Sequence, residues 1–116
     1  AARARLRHEM VQAFDRWDAI LAPITPVPAF PHDRRPFQRR ALQSSDGKAF
    51  AYNSILTWIA PATALHLPAT AVPAGLTASG LPVGAQLIGP IAGDARTLAI
   101  AQAIDENIRG FVAPDA

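Results

Sequence analysis

Serine and lysine side chains close together can give a hydrolase a base-activated nucleophile, and Ser44, Ser45 and Lys48 are one such grouping. That chemistry also requires a base held against the hydroxyl and preorganised N–H donors for an oxyanion, usually from glycine-rich backbone. Here the serines run into Asp46-Gly47, a turn pair, and no glycine-rich stretch surrounds them. They read as turn residues whose hydroxyls bond nearby backbone. His8, His32 and His66 lie far apart, and His8-Glu9 lacks the continuation of a zinc-binding helix, so no metal-ligand set is expected. His66, between Leu65 and Leu67, reads as a satisfied, partly buried histidine. Gly84 and Gly89 have the gap of a phosphate-binding loop, but Pro90 replaces its lysine. Together with Gly75 and Gly80 they read as turn and packing glycines. Arg34, Arg35, Arg39 and Arg40 form a basic cluster able to hold phosphate or an acidic partner. Only Phe37 lies inside it, without an aromatic ladder, so a solvated loop face, dispensable for folding, is expected.

The elements that would position these residues follow from periodicity and breakers. Leu6, Met10, Phe14, Trp17 and Leu21 recur on one face of a 3.6-residue repeat, which predicts a helix over 3–20. Residues 20–22 predict a short buried strand stopped by Pro23. Pro23, Pro26, Pro28 and Pro31 then require an extended loop. Asp46-Gly47 predicts a type I′ hairpin turn within 37–50. A helix is expected over 52–65, kinked or divided at Pro61. Residues 69–76, with Pro73 inside, predict an irregular strand near an edge. After a turn at 77–80, residues 83–88 predict a second strand. Asp94 is the expected N-cap of a last helix over 95–108, with Thr97, Leu98, Ala101, Ile104 and Ile108 on its face and Gly110 as its C′ glycine.

Composition bounds the class. The 116 residues suffice for one domain, half are apolar, and 17% are charged, which places the chain among ordered globular proteins. Lys48 is the only lysine, and the net charge is just +2, so the arginine content weighs little towards a nucleic-acid partner. Cysteine is absent, which excludes disulfides and thiolate chemistry and is compatible with the cytoplasm, the expected location. No apolar run is long enough to span a membrane, and AARARLRHEM lacks the apolar core of a secretory signal. The chain begins without methionine, as expected of a processed chain or a piece of a longer one.

The string LPATAVPAGLTASGLPVGAQLIGP, residues 67–90, closely resembles the C-terminal block of the amidase signature family. That block has the form G-x-P-A-x-x-V-P-x-G followed by G-L-P-V-G-x-Q-L-I-G. Pro68, Ala69, Val72, Pro73 and Gly75 stand in the first part, and Gly80 to Gly84 with Gln86 to Gly89 in the second. Upstream, WDAILAPITPVPAF at 17–30 resembles the family's D-x-L-x-x-P-x-x-P segment through Asp18, Leu21, Pro23 and Pro26. The likeness runs from about Phe14 to Glu106.

The resemblance implies an α/β fold: residues 1–116 as the C-terminal part of one mixed-sheet amidase domain, its strands covered by helices. It implies hydrolysis of carboxamide C–N bonds through an acyl-enzyme formed on a serine, with a second serine and a lysine, and no cofactor or metal. Those residues belong to an upstream glycine- and serine-rich core that nothing here matches, so no catalytic residue is carried over. Where glutamine-using family members grip the substrate amino group with an acidic residue, this chain aligns Leu56. Leu56 and Trp58 are therefore the candidate lining of a pocket for a small apolar or neutral amide. The family's usual Asn and Gly before the proline become Thr63 and His66. The expected partner is the remainder of the amidase chain or, failing that, a second copy, with no nucleic acid and no membrane. A non-catalytic binding or assembly module derived from the same fold is the alternative.

Overall fold

Three antiparallel strands form the centre of the computed structural model, which describes residues 2–113. The order along the chain is α1 (Ala2–Phe14), β1 (Ile20–Pro23), β2 (Ala41–Gln43), β3 (Ala49–Ala51), α2 (Ala60–Leu65), β4 (Ala69–Leu76), β5 (Pro82–Ile88) and α3 (Asp94–Asn107), with 3₁₀ turns at Phe37–Arg39 and Tyr52–Leu56. The main sheet has the order β1-β5-β4, and β2 and β3 form a separate hairpin. This is the mixed α/β architecture expected.

β5 is central because its C-terminal half is buried on both faces: Gln86, Leu87 and Ile88 are all buried. Side chains alternate across a strand, so paired residues share a face. Ile88 pairs with Ile20 and joins Ala62, Leu65 and Leu67 in the core, with Met10 and Phe14 packed against it. On the opposite face Leu87 pairs with Thr70, whose hydroxyl bonds that of Thr97 in α3 at 2.8 Å. α1 and α2 thus cover one face and α3 the other. The N-terminal half of β5, Pro82 to Gly84, is exposed.

Several boundaries differ from the sequence expectation. α1 ends at Phe14, not 20, because the chain must reverse to pair β1 with β5. Asp15 and Arg16 close the turn with bonds to Gln12 and Ala13. Of the anticipated apolar stripe only Met10 and Phe14 reach the core, and Leu6, Trp17 and Leu21 are exposed. β1 is accordingly an edge strand, not a buried one. The 52–65 region divides into a 3₁₀ turn and a short helix. An α-turn running up to Pro61 would press its ring on the carbonyl of Thr57, whereas in the first turn of α2 its missing N–H needs no partner. β4 is the irregular edge strand anticipated, with its register shift between Pro73 and Gly75.

The hairpin turn is not type I′. Only Gly47 has positive φ, at 80°, while Gly47 N–H donates to the Ser44 carbonyl and Ser44 N–H to Lys48. That is a type I turn closed by a left-handed glycine, the common three-residue hairpin loop. Asp94 is the first residue of α3, and Gly93 is its cap, without a side-chain bond. Leu98 and Ile108 face solvent. Gly110 lies beyond the helix end and does not take positive φ, so it is not a left-handed C′ glycine. His66 is exposed and left-handed, at φ 55° and ψ 48°, where it caps α2 by donating its N–H to Ala62 and Thr63.

Candidate functional site

The residues from Tyr52 to Ile59 carry both candidate pocket residues, and this segment is fixed at each end by groups from distant parts of the chain. Tyr52 opens it. Phe30, at the end of the proline-rich loop, meets the Tyr52 ring edge-on at 6.1 Å, and Phe37 does so at 5.4 Å. The Arg40 guanidinium lies 5.5 Å from the ring centre. Aromatic edges and a cation both favour the electron-rich face of a phenol ring. Tyr52 therefore ties two loops of little regular structure to the start of the segment.

Gln86 holds the other end. Its side chain is only 5% exposed and comes from the central strand. Nε2 donates to the Pro23 carbonyl at 2.8 Å and to the Trp58 carbonyl at 2.7 Å. Both N–H groups of the amide are thus used, and three segments meet on one side chain: the end of β1, the link before α2, and β5. A buried amide without partners is costly, so this pair of bonds specifies how the link sits on the sheet. Sequence reasoning placed Gln86 only as a matching motif residue. The signal that could have found its role is a lone amide inside the apolar run VGAQLIG, which must find partners if buried.

Leu56 lies between these two anchors and Trp58 at the second, and they are 54% and 42% exposed. They stand two residues apart on one short segment with apolar side chains open to solvent. A separate groove forms where Pro23 to Ala29 face Pro82, Val83 and Gly84. Thr25 shapes that loop by donating its hydroxyl to the Val27 carbonyl at 2.6 Å.

The serine–lysine grouping is occupied by its own turn. The Ser44 hydroxyl donates to the Asp46 carboxylate, and the Lys48 ammonium lies 2.9 Å from the same carboxylate. The Ser44 hydrogen bond, then Lys48, hold the Asp46 carboxyl below its usual range. A hydroxyl donating to a carboxylate and an ammonium paired with that carboxylate are turn contacts that leave Ser44 without an effective base held against it. Among the described residues no group of three His, Cys, Asp or Glu side chains could hold a metal ion, and no helix is long and apolar enough to cross a membrane.

The arginine cluster is sorted by contacts. Arg35 grips Asp33 through Nε and Nη2 at 2.7–3.0 Å, and its backbone N–H adds a bond at 2.9 Å. These hydrogen bonds lower the Asp33 carboxyl from 3.8 to about 2. Arg40 donates to the Arg35 carbonyl at 2.7 Å besides covering Tyr52. Arg34 and Arg39 are exposed and form no ion pair among the described residues.

Comparison with known proteins adds the family. Residues 1–98 match the family model described as Amidase. A glutamyl-tRNA(Gln) amidotransferase subunit of Wolbachia pipientis wMel is 33% identical over 112 residues, covering 97% of this chain and 21% of that protein. The same subunit from Exiguobacterium sibiricum is 34% identical over 113 residues, with 97% and 21% covered. Among solved structures, its counterpart from Thermotoga maritima superposes with a TM-score of 0.69 at 31% identity, covering 96% of this chain and 23% of that one. A crystal structure of an amidase gives 0.72 at 28% identity, covering 90% and 23%. The chain spans about a fifth of the length of the relatives it matches. With the family model aligned over most of its length and the strand-and-helix frame shared with two solved members, the chain belongs to the amidase family.

Proposed function

We propose that this chain is the C-terminal part of a cytoplasmic amidase that hydrolyses the C–N bond of small apolar or neutral carboxamides, with its 52–59 segment as one wall of the substrate pocket. The observation that carries this reading is the anchored segment with Leu56 and Trp58 exposed on it, in a chain of the amidase family. The chemistry comes from the rest of the protein: a serine attacks the amide carbonyl carbon, a serine–lysine relay moves its proton to the leaving amine, and water releases the acyl group. This chain contributes shape. Leu56 offers no charge to a substrate amino group, so discrimination favours amides without one.

The test compares the protein that contains this chain with the 116-residue chain alone. The former is expected to hydrolyse acetamide and benzamide and to process glutamine poorly, and Leu56→Asp to lower benzamide turnover relative to glutamine. The latter is expected to show no turnover. Absence of amide hydrolysis by the larger protein would sink the proposal. Turnover by the short chain that vanishes on Ser44→Ala or Ser45→Ala would move the chemistry into the hairpin turn.

A further inference from the structure

We propose that Gln86 is a positioning residue that sets acyl-group specificity by fixing the backbone of Trp58; this rests on the reading of residues 52–59 as a substrate wall. Three observations converge on it. Among the described residues, Gln86 is the only buried side chain that bonds both the end of β1 and the link before α2, through the Pro23 and Trp58 carbonyls. The link itself is held otherwise by local bonds, Thr57 N–H to Ser54 and Thr63 N–H to Ile59. Trp58 is 42% exposed, so surrounding side chains hold its indole only in part and the position of its backbone bears on where the ring stands. Among the hydrogen bonds of the described residues, the sheet therefore reaches the Trp58 backbone through this one amide. Removing the donor leaves two carbonyls short of a partner and frees Trp58 to move, while the sheet register set by the backbone of β5 stays.

The consequence is confined to substrates that reach the wall. Acetamide, with a methyl as its acyl group, makes little use of an indole surface, whereas benzamide presents a ring to it. A residue that sets the wall changes binding of the larger amide in ground and transition states alike. It therefore raises KM and spares kcat. A residue needed only for folding would depress both substrates together.

The experiment uses the whole amidase. Gln86→Met keeps length and volume and removes the donor. Its KM for benzamide is expected to rise about tenfold, the factor that loss of the one bond to the Trp58 carbonyl represents, with kcat and acetamide kinetics unchanged. Backbone hydrogen exchange over residues 55–60 is expected to quicken. Trp58→Ala is expected to raise the same KM, and the double variant to add little beyond it. If Gln86→Met does not fold, Gln86→Asn, which keeps an amide one methylene shorter, is expected to give a smaller rise on benzamide alone. Equal loss on both substrates, or unchanged exchange over 55–60, would overturn the role of Gln86. A silent Gln86→Met beside an effective Trp58→Ala overturns Gln86 but leaves the wall intact, whereas a silent Trp58→Ala removes the wall itself.

Discussion

Gly89 and His66 stand in opposite relations to the backbone around them. A Cβ added at Gly89 would fall 2.5 Å from Thr97 Cγ2, and Thr97 is fully buried between strand and helix. Glycine is needed there for close approach of α3, and Gly89→Ala is expected to destabilise by about 1–3 kcal/mol through overpacking. His66 instead sits left-handed at a helix cap, where glycine carries no Cβ penalty. His66→Gly is expected to stabilise by roughly 0.5–1 kcal/mol, the left-handed cost less the entropy glycine adds to the unfolded chain. Shifts of the urea midpoint at constant slope, in opposite directions, check the pair. Asp33 gives a pH signature. Its folded carboxyl titrates near 2, below its ordinary 3.8, because Arg35 hydrogen-bonds the charged form. The Arg35 contact therefore contributes in full above about pH 4 and is lost as pH falls through about 2. NMR titration of the Asp33 carboxyl is expected to give a midpoint near 2 that returns towards 3.8 in Arg35→Gln. An unmoved midpoint in that variant would disprove the assignment.

Elements here are short, and their ends are set by what they meet. α1 stops where β1 must begin, and the 52–65 stretch divides where Pro61 forbids a continuous turn. Loops are held by side chains in place of ladders, which changes what the arginine cluster means. A uniform solvated face, read from charge spacing, would make all four residues equivalent. The contacts make them unequal, because Arg35 and Arg40 organise 33–40 and its contact with Tyr52, while Arg34 and Arg39 project outward. Arg34→Gln with Arg39→Gln is expected to leave stability within about 0.5 kcal/mol. Arg40→Gln is expected to cost roughly 0.5–1 kcal/mol through the lost cation–ring contact. Denaturation of the two variants side by side distinguishes them, and equal effects would return the cluster to a single solvated face.

At the scale of the molecule the chain leaves much apolar surface open. It exposes 8509 Å², where a folded monomer of 12.3 kDa exposes about 6,100 Å². Its radius of gyration is 16.3 Å, against about 13 Å for a domain of this length. Both β1 and β4 are edges, and Trp17 and Leu21 stand beside Leu87, Ile100 and Ile104 along a groove under α3. Unpaired strand edges beside apolar surface favour association with another chain. The isolated 116 residues are expected to self-associate at micromolar concentration or to bind a hydrophobic dye. Sedimentation equilibrium decides: a strict monomer that unfolds cooperatively without dye binding would show a closed core.

What the sequence determined by itself is local. Pro23 ends a strand, Pro61 breaks a helix, and Gly47 and Gly80 close turns, because each constraint lies within a few residues of backbone. The motif at 67–90 likewise made the β4–β5 hairpin and the family legible, since its glycines and prolines punctuate the strands they bound. Only the tertiary structure decided which apolar residues are buried. Periodicity gives Leu6, Met10, Phe14, Trp17 and Leu21 one face, but whether a face is covered depends on elements distant in sequence, and β1 pairing with β5 leaves Trp17 and Leu21 outside. The same holds for Gln86. Its residue type demands partners once it is buried, but that those partners are Pro23 and Trp58, 63 and 28 residues away, follows from the chain's path through space.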